Sequence, residues 1–383
     1  MAQDHENPQP QAKPTAPRID LRFSSNALLL SWRQWAVAGI IFVSALVLAP
    51  RIGERLENFH PPEDYRIPYD LSNDYWLFGR YARQAAWRER TLVIGDSVVW
   101  GQYVKRGETL SHYLNDRAGE ARFANLGLDG GHPVALAGLL RYYGGDIVRT
   151  RVVLHCNLLW TASKKHDLTS EKEFRFNHPT LAPQFVPSIP CYTEPYSRRL
   201  GYAIERQVPF FGWTNHLRVA YLAGMDLPSW TMEHPVENPL TATRLPLVPA
   251  EEPALHEPVA WTARGITKQD FEWVDLDASL QWRFFRQAVE TLRARDDKVF
   301  VLVGPFNEHM LTDESLKTYA ARRRTVEKWL RREGIPYAAP AALPSDLYAD
   351  ASHPLAEGYR MLARQLWEDE AFTRFAADSP SAP

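Results

Sequence analysis

The chain has 383 residues, 45% of them hydrophobic and 12% aromatic, enough to bury the core of one large domain or of a domain with an elaboration. A formal net charge of -2 supplies no global basic field and argues against a nucleic-acid partner. The two cysteines, Cys156 and Cys191, make neither a disulfide framework nor a structural zinc site, which leaves one bond in an oxidising compartment or two buried thiols. No metal or other cofactor is expected.

Residues 1–26 are polar and rich in Pro, Gln, Ala and charge, and read as a disordered tail. Trp35 to Ala49 carries no charge, and Leu28, Leu29, Leu30 and Trp32 extend it. Residues 28–50 are therefore expected to form one uncleaved transmembrane anchor. A cleaved signal peptide and a buried core helix compete with that reading. Pro50 stands where cleavage after Ala49 would have to occur, and the run is apolar all round beside a polar tail. Lys13, Arg18, Arg22 and Arg33 precede it, against Arg51 and Arg55 just after. That bias favours a cytoplasmic tail and a body outside the cytoplasmic membrane, in a periplasm-like space. Residues 51–90 read as a charged, aromatic connecting arm in which Tyr75, Trp76, Phe78 and Tyr81 can pack onto the globular domain.

Thr91 to Gly101 is the stretch around which the rest is organised. Leu92, Val93 and Ile94 form the short apolar run of a strand buried on both faces. It stops at Gly95, Asp96 and Ser97, residue types suited to turns and helix N-caps. Open α/β sheets place their chemistry at this end of a strand, which makes Ser97 a candidate nucleophile. Glu108 to Arg117 then has helical spacing, Arg122 to Leu126 reads as a second strand, and Pro133 opens a helix carrying Leu136, Leu139 and Leu140. Val152 to Leu154 forms a third strand leading into His155-Cys156-Asn157. Residues 164–277 hold many of the 29 prolines with no sustained period, and are expected to be an insertion with short elements of its own, either a lid or subsite for substrate or a structural cap. A helix over Leu280 to Arg293, a strand over Val299 to Val303, a helix over Glu314 to Glu333 and a short strand at Ile335 and Tyr337 follow. Arg322, Arg323 and Arg324 read as a solvated face. A last helix runs from Leu355 to Phe372, ahead of a disordered tail over 376–383. Strands alternating with helices at this pitch indicate an α/β fold, a parallel central sheet with helices on both faces in a three-layer α/β/α sandwich.

A serine hydroxyl needs a base to become nucleophilic. His353 lies in the loop before the last helix, and Asp350, three residues earlier, is placed to hold its imidazole in one tautomer. A developing oxyanion needs donors already aimed at it. The candidates are the backbone N–H groups of Ser97 and Gly130 and the side-chain amide of Asn157.

These residues resemble the SGNH (GDSL-type) hydrolase superfamily over roughly 91–157 and 299–367. Gly95, Asp96, Ser97 and Gly101 match its first block, Gly130 its second, Asn157 its third, and Asp350-Ala-Ser-His353 its fifth. The resemblance implies Ser97 as nucleophile, His353 as base, Asp350 as orienting acid, and Gly130 with Asn157 in an oxyanion hole, on a flavodoxin-like sheet forming a hydrolase domain over 91–375. The third block departs from the family's Gly-x-Asn-Asp: His155 replaces the glycine and Leu158 the aspartate. Asp96, His155 and Trp100 are the side chains expected to line the substrate pocket. Membrane-anchored members similar to this chain act on exopolysaccharide or cell-wall glycans. The expected function is thus an O-acyl, usually acetyl, esterase or acyltransferase taking a glycan or acyl-ester substrate, sometimes beside a membrane-bound O-acyltransferase. A catalytically inactive binding or assembly module on the same fold is the alternative.

Overall fold

Residues 30–239, 247–248 and 253–377 are described in this computed structural model. The tail expected over 1–26, together with Leu28 and Leu29, lies outside the described residues, as does most of 376–383. Five strands, Thr91–Gly95 (β1), Phe123–Gly127 (β2), Arg151–Cys156 (β3), Lys298–Val303 (β4) and Tyr337–Ala338 (β5), form one parallel sheet in the order β2-β1-β3-β4-β5. Leu92, Val93 and Ile94 are completely buried, because β1 is central: Leu92 pairs with Ala124 on one side and Val152 on the other. Burying each such side chain contributes about 1.5–3 kcal/mol. The strand order reverses between β1 and β3, and open sheets of this kind bind ligands beyond the carboxyl ends of the strands at such a point.

The chain divides into two compact units, residues 1–48 and 49–383. The first helix, α1 (Trp32–Leu56), begins in one and ends in the other. Its 25 residues span about 37 Å at 1.5 Å per residue, against roughly 30 Å of bilayer hydrocarbon. Ile40, Ile41 and Phe42 are each more than 60% exposed. It is one helix long and apolar enough to cross a membrane. It starts four residues later and ends six residues beyond the anchor expected over 28–50.

The segment read as a connecting arm is part of the folded body. Asp74 caps a helix, α2 (Tyr75–Trp87), by accepting from Leu77 N, and buries Leu77, Phe78 and Tyr81 against the core. Arg66 is fully buried with its guanidinium 4.1 Å from the Trp100 ring centre. A one-turn helix, α3 (Ser97–Trp100), follows β1, and α4 (Leu110–Ala118) is capped by Thr109. Pro133 occupies the first turn of α5 (Pro133–Tyr142), where its missing N–H costs nothing. The insertion contributes α6 (Tyr196–Glu205), α7 (Pro209–Tyr221) and α8 (Leu227–Glu233). Beyond it come α9 (Leu280–Arg293), α10 (Asp313–Arg332), α11 (Ala356–Glu368) and α12 (Glu370–Ala377).

Three differences from the sequence reading have local causes. The last helix breaks at Asp369, whose side chain accepts from Phe372 N and starts α12; Ala376 and Ala377 therefore close a helix instead of opening a tail. The arginines of α10 are not all solvated. Arg322 pairs with Asp275 at 2.9 Å, and Arg323 reaches Glu308 and the Pro340 carbonyl. The insertion is stitched to the body by polar contacts: Asp167 caps α9 through Leu280 N and Gln281 N, and Trp273 donates to Ser315 Oγ. At α7, buried His216 donates from Nδ1 to Asp74 (2.5 Å) and from Nε2 to Glu57 (2.7 Å). Burial opposes its charge, but the two carboxylates outweigh that and lift its pKa to about 9.

Candidate active site

The carboxyl ends of the strands converge on Ser97. It is the first residue of α3, directly after β1, and Asp96 caps this helix by accepting from Val98 N at 3.0 Å. The helix lasts one turn because Gly101 adopts the left-handed conformation at φ 92° and its N–H returns to the Ser97 carbonyl. A side chain there would be strained, which explains a glycine four residues after the serine.

His353 Nε2 lies 2.8 Å from Ser97 Oγ, and His353 Nδ1 lies 2.8 and 2.9 Å from the two Asp350 oxygens. An ionised carboxylate only accepts, so Nδ1 carries the hydrogen and Nε2 is left to accept from the serine. The loop bearing both residues is fixed from several sides. Asp350 Oδ1 also accepts from the Ser352 and His353 N–H groups, Ala349 N donates to His353 O, and buried Asn307 donates to the Asp350 carbonyl at 3.1 Å. Burial alone would raise the Asp350 pKa, but the charge and hydrogen bond of His353, with the two backbone donors, bring it down to about 2. Burial pulls the His353 pKa down, and the Asp350 charge and hydrogen bond, with smaller help from Asp96 and Asp129, carry it above 6.5.

Gly130 and Asn157 follow the carboxyl ends of β2 and β3, the neighbours of β1 on either side. The β2 loop is tied to the serine loop by Leu128 N donating to Gly95 O at 2.9 Å. Gly130 has φ 65°, and a Cβ there would fall 2.4 Å from Asn177 Nδ2, so the insertion presses directly on this glycine. Asn157 Oδ1 accepts from Leu159 N, and Nδ2 donates one hydrogen to Asp96 Oδ2 at 2.8 Å. That fixes the amide and leaves its second hydrogen for another acceptor.

The three side chains expected in the substrate pocket lie elsewhere. Trp100 is a core residue, 2% exposed, with Nε1 donating to the Ile67 carbonyl. Asp96 and His155 have side chains 2% and 1% exposed and form a support beneath the site. Asp96 accepts from His155 Nδ1 (3.1 Å), Asn157 Nδ2, Trp160 Nε1 (2.8 Å) and Val98 N. Burial opposes its charge, but His155, Trp160 and Asn157 hold its carboxyl well below the usual carboxylate range. His155 Nε2, on the other side of the ring, is buried without a hydrogen-bond partner.

Several site residues escaped sequence reasoning. Trp160 follows Asn157 by three positions and carries no motif. Tyr103 packs on the His353 ring at 5.5 Å and its hydroxyl accepts from Arg264 Nη1 at 2.7 Å, while the same nitrogen reaches the Ala349 carbonyl. Asn307 and Asn177 come from a strand end and from the insertion. None has a spacing that announces it, because each partner is distant in sequence.

Cys156 and Cys191 are free, buried thiols, and burial pushes the Cys156 pKa up. Among the described residues no group of three or more His, Cys, Asp and Glu side chains is placed to hold a metal ion. An apolar groove of about 970 Å³ between α6, α7 and α8 is lined by none of the residues named at Ser97. No protein-family model matches the chain, and no curated protein does.

Proposed function

We propose that the chain is a serine-dependent O-acyl esterase or acyltransferase of the SGNH kind, acting on a glycan outside the cytoplasmic membrane to which α1 anchors it. The observation that carries the reading is the unbroken chain Ser97 Oγ, His353 Nε2, His353 Nδ1, Asp350, at 2.8 and 2.8 Å. His353 takes the hydroxyl proton as Ser97 Oγ attacks the ester carbonyl. The oxyanion is received by the N–H groups of Ser97 and Gly130 and the free amide hydrogen of Asn157. His353 then protonates the leaving sugar oxygen, and an acyl-serine remains. Water or a second sugar hydroxyl gives its proton to His353, attacks the acyl carbon and releases Ser97. Which acceptor enters separates esterase from transferase.

The three-layer α/β/α arrangement belongs to the same proposal, supported by the parallel sheet and by helices following its strands. So does a membrane-bound O-acyltransferase as a partner beside it. The competing reading, an inactive binding or assembly module, draws on the altered third block and on the large insertion. With His155 buried and bonded to Asp96, the first of these gives it no support. The test is covalent labelling of the full-length protein by a serine-directed fluorophosphonate, with Ser97→Ala as control. Labelling is expected at Ser97 alone; an unlabelled wild-type protein overturns the proposal.

A further inference from the structure

Beside the C-terminal end of α1 lies a cavity of about 410 Å³ whose polar lining is dominated by Arg51, Arg55, Arg80 and Arg83, with Trp87 at its rim and Glu54 as its one carboxylate. Arg51 and Arg55 are one turn apart, so they share a face of the helix; both are exposed, and neither makes an ion pair among the described residues. The other two arginines come from α2 and are held in place. Arg80 bonds Glu57 and donates to the Glu54 and Glu57 carbonyls at 3.0 and 2.9 Å. Arg83 bonds Glu54 and reaches Asp146 at 2.8 Å. Glu54 is therefore already engaged, and the uncompensated positive charge of the cavity is that of the two free guanidinium groups, set beside a wall held in place by its own ion pairs.

Position identifies what such a cavity would meet. Arg51 is the second residue after the uncharged run ending at Ala49, about 3 Å further along the helix axis, which is headgroup depth for a spanning helix. Trp87 is 81% exposed, and tryptophan concentrates in that layer. Guanidinium groups match phosphate oxygens in charge and in forked geometry.

We propose that this cavity binds a phosphate-bearing anion, supplied by a lipid headgroup or by free phosphate. The inference rests on α1 spanning the bilayer and is independent of the chemistry at Ser97. Full-length protein in a neutral detergent is titrated with dioctanoyl phosphatidylglycerol, with dioctanoylglycerol, and with inorganic phosphate. The phosphatidylglycerol is expected to saturate, the phosphate-free dioctanoylglycerol to show no binding, and the Arg51→Gln, Arg55→Gln double variant to bind roughly thirtyfold more weakly, at about one surface arginine's contribution each. The matched pair Arg324→Gln, Lys328→Gln on α10 is expected to bind like wild type. Displacement of the lipid by inorganic phosphate identifies free phosphate as a sufficient ligand; failure to displace it identifies the headgroup. Equal affinity of the double variant and wild type, or equal binding of dioctanoylglycerol, overturns the site. Alkaline extraction of membranes reads insertion of α1 separately, and full release of the chain counts against the anchor itself.

Discussion

Replacing His155 with glycine would restore the residue that the SGNH pattern carries at this position. The structure says the change is harmful. His155 Nδ1 is one of the four donors to buried Asp96, and a hydrogen bond to a charged group is worth about 1.5–3 kcal/mol. Removing a fully buried ring adds a cavity of the kind that costs about 2–5 kcal/mol, and glycine inside a strand costs roughly 0.5–1 kcal/mol more. Because the terms share one relaxation they do not add fully, and about 5 kcal/mol is the working figure, out of a total stability of roughly 5–15 kcal/mol. The assay pairs thermal unfolding of the detergent-solubilised full-length protein with the rate of fluorophosphonate labelling. His155→Gly is expected to melt far below wild type and to label slowly. His155→Asn, which keeps an N–H donor close to the place of Nδ1, is expected to recover much of both. A His155→Gly protein as stable as wild type that labels as fast or faster would refute the support role assigned to this histidine.

Acylation requires neutral His353, so the labelling rate should rise with pH through a midpoint above 6.5, because Asp350 raises the imidazole pKa; a midpoint below 6.5 contradicts the charge assignment. Asp350→Asn removes the charge and, with its carbonyl oxygen kept by the Ser352 and His353 N–H groups, turns an amide N–H toward Nδ1, which favours the wrong tautomer; it is expected to move that midpoint down while lowering the plateau by roughly 10³- to 10⁴-fold. Trp160→Phe deletes one donor to Asp96 without touching Ser97; labelling should slow about tenfold, equivalent to ~1.4 kcal/mol, with the pH midpoint unmoved. His216 has a folded-state pKa raised to about 9 from 6.5. Its stabilisation is complete below 6.5 and is lost as pH rises through about 9, at most about 3 kcal/mol; melting curves of wild type should fall across this window and those of His216→Asn should stay flatter.

The buried strands were legible because a strand covered on both faces reads as an uninterrupted apolar run, as at Leu92-Val93-Ile94 and Val152-Val153-Leu154. The limits of α9, Leu280–Arg293, agree with the reading because Ser279 is an N-cap residue followed by a clear amphipathic repeat. Ser97, Asp350 and His353 were legible as residue types in motif spacing, and the structure brings all three into hydrogen-bond reach. What stayed hidden depends on long-range polar pairing. Nothing local in residues 57–74 shows that Arg66 is fully buried on Trp100, or that Asp74 and Glu57 are spoken for by a histidine more than 140 residues later. Trp100 looked like a pocket residue from its neighbour Ser97, yet one helical turn carries its ring into the core.

The packing beneath Ser97 also limits where substrate choice can be made. Asp96 is saturated by four donors, His155 is buried on β3 beside Gly95 of β1, and Trp100 and Tyr359 are buried, the latter donating to the Val98 carbonyl. A change of substrate cannot be accommodated there without breaking the support of the nucleophile itself. The groups that border the triad without bearing it up come largely from the insertion: Asn177 against Gly130, and Arg264 on Tyr103 beside His353. They hang from irregular segments pinned at a few points, such as Trp261 donating to the Ser345 carbonyl, so they can vary while the triad stays fixed. Under the proposed function, division of labour of this kind, a rigid sheet holding the chemistry and loops facing the ligand, would place specificity in the described parts of the insertion. If Ser97 carries an acyl group as proposed, whether water or a sugar hydroxyl reaches it would then be a property of these flanking segments, because the triad treats both acceptors alike.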